Sequence, residues 1–236
     1  MPRKSATQKI SNEAIAQYLT ADLGSMTQRA IQYENLLANK INFYLVLVTA
    51  AIGGLLFVAN VPEIKPLLIP IACLVLLILS IMGVVTLFQG LDLSASTTFM
   101  FRRMGRIRQW FLDQDPNLFP YLPFMPGDDK PTYYVEYARL RSTEAILLIV
   151  NAVLIAMLGA LLWIFIGMQV LRLSFNFSAM PYLIALGIGT LLFICAWWFE
   201  FNYAQNFMKN REKKAKEDGY INFPSAEILG RIEKKN

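Results

Sequence analysis

Four stretches of the chain, at 41–60, 67–89, 145–170 and 182–201, are continuously apolar. Each has the length of about 20 helical residues that a bilayer crossing takes. They are unbroken apolar runs without the period-two alternation of a membrane barrel, so helix is the element they predict. VPEIKP joins the first two, and a short stretch containing Arg172 and Pro181 joins the last two. The pattern predicts an all-α membrane protein with four transmembrane helices arranged as two hairpins.

Outside these runs the pattern changes. Residues 11–40 read as a helix leading into the first span, with Ser11 or Asn12 as its cap. Ala16, Leu19, Leu23, Met26, Ala30, Tyr33 and Leu37 recur at alternating spacings of three and four, which makes a three-heptad seam. That seam either packs on the protein's own cytoplasmic portion or forms an oligomer contact. The second span is expected to continue as helix to about residue 112, where Met100, Met104, Ile107 and Phe111 form one apolar stripe. Pro116, Pro120, Pro123, Pro126 and Pro131 then exclude regular helix. The apolar side chains among these prolines (Leu118, Phe119, Tyr121, Leu122, Phe124 and Met125) suit a packed segment better than a free linker. A further helix, capped by Thr132, is expected to enter the third span. In the tail, Gly219 is expected to end one helix and Pro224 to begin another.

Charge sets the expected orientation. Lys and Arg number five before the first span, seven between residues 90 and 144, and eight beyond the fourth span, whereas the two short connections carry only Lys65 and Arg172. By the positive-inside rule both termini and the central region, with Asp128–Asp129, face the cytoplasm, and Glu63 and Arg172 face outward. The expected organisation is a cytoplasmic N-terminal helix (1–40), a first hairpin (41–89), a basic and proline-rich cytoplasmic region (90–144), a second hairpin (145–201) and a basic tail (202–236). The N-terminal MPRKSATQKI has no apolar core of a signal peptide. The lone sequon Asn176-Phe177-Ser178 falls on the outer side and reads as a chance match.

Composition narrows the chemistry. The 236 residues are 56% hydrophobic and 17% charged, against about a quarter charged in soluble domains. There is no histidine, which removes His-based zinc, haem and nucleophile chemistry. Cys73 and Cys195 lie inside apolar runs without CxxC spacing and read as small buried hydrophobes. No metal and no cofactor is expected, and the protein does not read as an enzyme. The polar residues within the spans are mild: Asn42, Thr49, Ser80, Thr86, Gln89, Asn151 and Thr190, with Glu144 and Glu200 at cytoplasmic ends. Asn42, Thr49, Asn151, Thr190 and Glu200 are the candidates for helix packing or for lining a pore. A pore built from one four-helix chain implies a symmetric homo-oligomer, with a tetramer as the expected ring.

The remaining signal is TFMFRRMGRIRQWFLDQDP, with four arginines between positions 102 and 108. On a helix Arg102, Arg103 and Arg106 gather opposite the apolar stripe, and Arg108 flanks it. They are either lipid-phosphate anchors or an anion site, with Trp110 and Phe111 as stacking partners. Their distance from the second span, roughly 20 Å along a straight helix, favours the anion site, with Arg102, Arg103, Arg106, Arg108 and Trp110 as its residues.

The order of features, with RMGRIRQWFLDQDPNLFPYL between two hairpins, resembles small four-span bacterial membrane proteins found among anti-phage effectors, including SLATT-type proteins and the channel component of the Hailong system. The second hairpin is a departure from the SLATT type. The resemblance implies a homo-oligomeric pore in the bacterial inner membrane, controlled by a nucleotide or single-stranded nucleic acid and serving in anti-phage defence. The rival expectation is a non-conducting scaffold that recruits a soluble partner protein, with the arginines anchoring it to the bilayer.

Overall fold

The computed structural model describes residues 11–64, 67–122, 124, 126–133, 143–169, 180–219 and 222–234. Arg172, the sequon, Lys65 and the helix expected to follow Thr132 lie outside the described residues. Every described element is helical: α1 (Asn12–Val58), α2 (Leu68–Gln114), a 3-10 helix (Pro116–Tyr121), α3 (Thr143–Gln169), α4 (Met180–Glu217) and α5 (Ser225–Glu233).

The boundaries follow from local chemistry. Ser11 caps α1, its Oγ accepting the Ala14 amide at 3.2 Å. α2 stops at Gln114, before Pro116, and Asp115 caps the 3-10 turn by accepting the Asn117 amide at 3.0 Å. α4 closes with Gly219 at φ +68, the left-handed conformation that glycine adopts without penalty. Pro224 then opens α5, accepting the Glu227 amide at 3.1 Å.

α1 to α4 each hold a window long and apolar enough to cross a bilayer, with mean hydropathy of 2.0–2.9. Only 11–33% of the residues in those windows are buried, so most of this apolar surface is left for lipid or for other chains.

The chain divides into two compact units. One comprises the described residues of Met1–Glu34, Ser94–Tyr133 and Arg211–Asn236, and the other those of Asn35–Leu93 and Tyr134–Asn210. In the first unit the seam on α1 packs on α2. Met26 and Ala30 are buried with Met104 and Ile107, and Leu19, Leu23, Met100, Phe101 and Phe111 close around them. Each large side chain sequestered in this way contributes about 1.5–3 kcal/mol. Thr27 adds a hydroxyl contact to the Met104 sulfur at 3.3 Å. In the second unit the Lys40 ammonium donates to the Gln89 side chain, and the Tyr44 hydroxyl lies 3.3 Å from the Leu79 carbonyl oxygen.

Candidate functional site

Helical phase sorts the four arginines. Arg102 and Arg106 are one turn apart on α2, and both are engaged from the side opposite the apolar stripe. Arg102 is 3% exposed. Its Nε donates to the Pro131 carbonyl at 2.9 Å, and its plane lies 4.4 Å from the Tyr133 ring centroid. Nη2 is 3.5 Å from Glu212 Oε1, an ion-pair distance without hydrogen-bond alignment, and neither Nη1 nor Nη2 has a hydrogen-bond acceptor.

Arg106 is committed to Asp128. Its Nε and Nη2 both donate to Oδ2, at 3.0 and 2.7 Å. Asp128 is 1% exposed and also accepts the backbone amides of Asn222 and Phe223, each at 2.9 Å at its shorter contact. Asp129 accepts the amide of Ser225 at 2.9 Å and its hydroxyl at 3.0 Å, which caps α5. The segment PGDDKP is thereby a latch between α2 and the end of the chain. Its backbone contributes as well: Gly127 donates to the Gly105 carbonyl at 3.2 Å, and Asp128 donates to the Phe223 carbonyl at 3.1 Å. Both glycines are required by this approach. Gly127 has φ +123, and a Cβ on Gly105 would overlap the Gly127 carbonyl oxygen.

Arg103 and Arg108 point elsewhere. Arg103 is exposed and lies 5.3 Å from the Phe99 ring centroid. Arg108 sits 5.0 Å from Phe124, and burial lowers its pKa below the usual arginine value. With Phe101, Phe124, Lys130 and Pro131 it lines a cavity of about 390 Å³. Each arginine therefore rests on a different aromatic ring, Arg106 on Phe223 at 5.9 Å. Trp110 is not among these rings; it packs edge-on against Phe111.

Beside Arg102 there is open space. A cavity of about 60 Å³ is lined by Arg102, Arg103, Arg106 and Asp128 together with Phe99, Tyr133 and Ala215. A second, of about 270 Å³, shares Phe99, Tyr133 and Ala215 and adds Tyr33, Arg211, Lys214 and Asp218. Burial raises the Tyr133 hydroxyl above its ordinary value, an effect that Arg102 and Arg211 oppose and Glu212 reinforces. Aromatic faces, three or more cations and a guanidinium with unsatisfied donors are what an anion carrying a planar ring would use.

The candidates within the apolar runs separate cleanly. Asn42, Thr49 and Thr190 are exposed, the two threonines returning their hydroxyls to the carbonyls one turn back. Asn151 and Glu200 are buried. Sequence reasoning missed Tyr44, whose hydroxyl donates to Asn151 Oδ1 at 2.7 Å. It also missed the role of Asp128 and the contributions of Tyr133, Arg211 and Lys214. The basic charge of the 202–236 tail was the signal for the last two.

Among the described residues no group of three or more His, Cys, Asp and Glu side chains is placed to hold a metal. Comparison with protein-family models, with characterised proteins and with solved structures finds no match.

Proposed function

We propose that the protein is a multi-pass membrane protein that forms a homo-oligomeric pore, a tetramer being the proposed ring, and that an anionic ligand with a planar ring controls it from the cytoplasmic side. The ligand class is a nucleotide or a short single-stranded nucleic acid. The observation that carries this reading is Arg102, which lines the smaller cavity with Phe99 and Tyr133 and whose two buried terminal nitrogens have no hydrogen-bond acceptor, Glu212 standing at ion-pair distance from one of them. A buried guanidinium left short of acceptors is costly, and a phosphate would satisfy both nitrogens in its bidentate geometry.

Two features support coupling to the bilayer. α2 is one unbroken helix from Leu68 to Gln114, carrying both an apolar run and the arginines. The helix order is consistent with two antiparallel hairpins: Lys40 meets Gln89 while Tyr44 meets Leu79, and Leu192 lies against Gly159. The setting proposed with it, a bacterial inner membrane and an anti-phage role, comes from the architectural resemblance.

A specific observation favours a second reading for part of the cluster. Arg106 is neutralised by Asp128, so this arginine holds the latch and is not available to a lipid phosphate. The scaffold alternative, with arginines as lipid anchors, is left with Arg103 and the exposed basic residues of the tail.

Equilibrium binding of ATP and of an oligothymidylate to the detergent-solubilised protein tests the ligand. Arg211→Gln with Lys214→Gln should weaken binding at least tenfold while leaving the latch intact, and wild-type binding should fall steeply with salt. Absence of binding to either probe at low salt defeats the ligand reading. A monomer under every detergent condition in native mass spectrometry defeats the pore.

A further inference from the structure

Glu200 lies on α4 and is 5% exposed, and neither of its carboxylate oxygens receives a hydrogen bond. Asn151 on α3 is fully buried and close enough to act on that carboxylate, and its Nδ2 has no aligned acceptor. Asn151 Oδ1 accepts from the Tyr44 hydroxyl of α1 at 2.7 Å, and Tyr44 is itself 1% exposed. α2 contributes Gly83 and the Leu79 carbonyl. A Cβ on Gly83 would overlap both the Asn151 side chain and the Tyr44 hydroxyl, so the missing side chain there is what lets the two polar groups meet. All four long helices thus contribute to a single polar node.

The four residues share a depth. Tyr44 and Asn151 lie shortly after the start of their apolar runs, and Gly83 and Glu200 shortly before the end of theirs. Each is within about two helical turns, roughly 10 Å, of the boundary of its run.

An ionised carboxylate in a low-dielectric interior is strongly disfavoured unless it is paired or hydrogen-bonded. Among the described residues no cationic side chain acts on Glu200; the Asn151 amide within reach of it is neutral and not aligned for a hydrogen bond, so it lessens the cost without cancelling the charge. Its negative charge must be cancelled by something that is not a residue of this node. One negative charge is matched by one positive charge; a divalent ion would leave a net charge behind. The available donors are all hard oxygens: the two of Glu200, Asn151 Oδ1 and the Tyr44 hydroxyl.

We propose that Glu200, with Asn151 and Tyr44, forms an intramembrane binding site for a single monovalent cation, a proton or a sodium ion. The groups acting on Glu200 are Asn151 from α3 and Tyr44 from α1, and the Leu79 carbonyl and Gly83 of α2 meet those two; of these only Tyr44 titrates. The site is independent of the anion pocket and adds a response to the ionic composition of the adjacent solution.

Infrared spectroscopy of the full-length protein in lipid nanodiscs tests it, with sodium chloride and choline chloride as the two media. In choline at about pH 7, where ordinary carboxyls are ionised, the wild type should show a protonated-carboxyl stretch that Glu200→Gln lacks. Persistence of the band when sodium replaces choline assigns the site to a proton, and its loss assigns it to sodium. Tyr44→Phe keeps the carboxyl and removes the Asn151 partner, so it should shift the band. No difference between wild type and Glu200→Gln in choline, together with equal thermal stability of the wild type in the two salts, overturns the proposal. A band unmoved by Tyr44→Phe overturns the part assigned to Tyr44 and Asn151.

Discussion

Arg106 donates twice to Oδ2 of Asp128, Oδ1 accepts the Phe223 amide, and the Asn222 amide is shared between the two oxygens. One aspartate thereby ties α2 to a segment 94 residues further on. The carboxylate is buried, and both of its oxygens accept hydrogen bonds.

Asp128→Ala should accordingly destabilise the unit by roughly 2–4 kcal/mol, since it strands Arg106 and two amides. Asp128→Asn should cost less, because an amide oxygen still accepts. Limited proteolysis of the purified protein, read at the 222–225 segment, measures the difference. Equal protease resistance in wild type and both variants would show that the latch is dispensable.

Gly105→Ala tests the same latch from the backbone side. The new methyl overlaps the Gly127 carbonyl oxygen, which cannot yield as a flexible side chain would. A loss of about 1–3 kcal/mol is expected, visible as a lower thermal midpoint. Gly24→Ala is the control: a Cβ there meets nothing within 4 Å, so a helix position should gain a few tenths of a kcal/mol up to about 1.

Tyr133 sets a pH dependence. Burial raises its pKa above the unfolded value of 10.0, so the neutral phenol is the form the fold holds. The stabilisation tied to that form is complete below about pH 10 and is lost as pH rises through the folded value. Tyr133→Phe should remove this alkaline component and delete a late-titrating tyrosine from ultraviolet difference spectra. Loss of a tyrosine that titrates at the ordinary value, with the late component unchanged, would place the Tyr133 hydroxyl in solvent.

For orientation, single cysteines in a background with Cys73 and Cys195 replaced discriminate directly. A cysteine at Glu63, an exposed position, should react with an impermeant maleimide on intact cells. One at Lys130, also exposed, should react only after permeabilisation. The reverse pattern overturns the positive-inside assignment.

The helical frame was legible because burial repeats with the helix. The seam at Met26 and Ala30 and the stripe at Met104 and Ile107 meet each other, as their three-and-four spacing allows. The ends were legible where chemistry is local: Ser11, Pro116 and Gly219 act within one turn of themselves. The latch was not legible. Asp128 sits in a proline-rich segment without periodicity, and its partners lie 22 residues before it and 94 and 95 after it. Counting the arginines registered their charge but not that Arg106 is already neutralised. Gly83 gave no signal either, since one glycine in a long apolar run looks the same whether or not two polar side chains converge on it.

The unbroken course of α2 also constrains its length. Between Gln89 and Arg102 the chain remains helical, so each residue there adds about 100° of rotation and 1.5 Å of rise to everything beyond it. One inserted residue would swing Arg102 and Arg106 about a quarter-turn relative to the apolar run of the same helix without altering a single side chain of the pocket. Seven would bring the azimuth back to within about 20° but carry the arginines roughly 10 Å along the axis. No insertion preserves both angle and height, so the length of this connector alone fixes how the arginines are set on α2 relative to its apolar run.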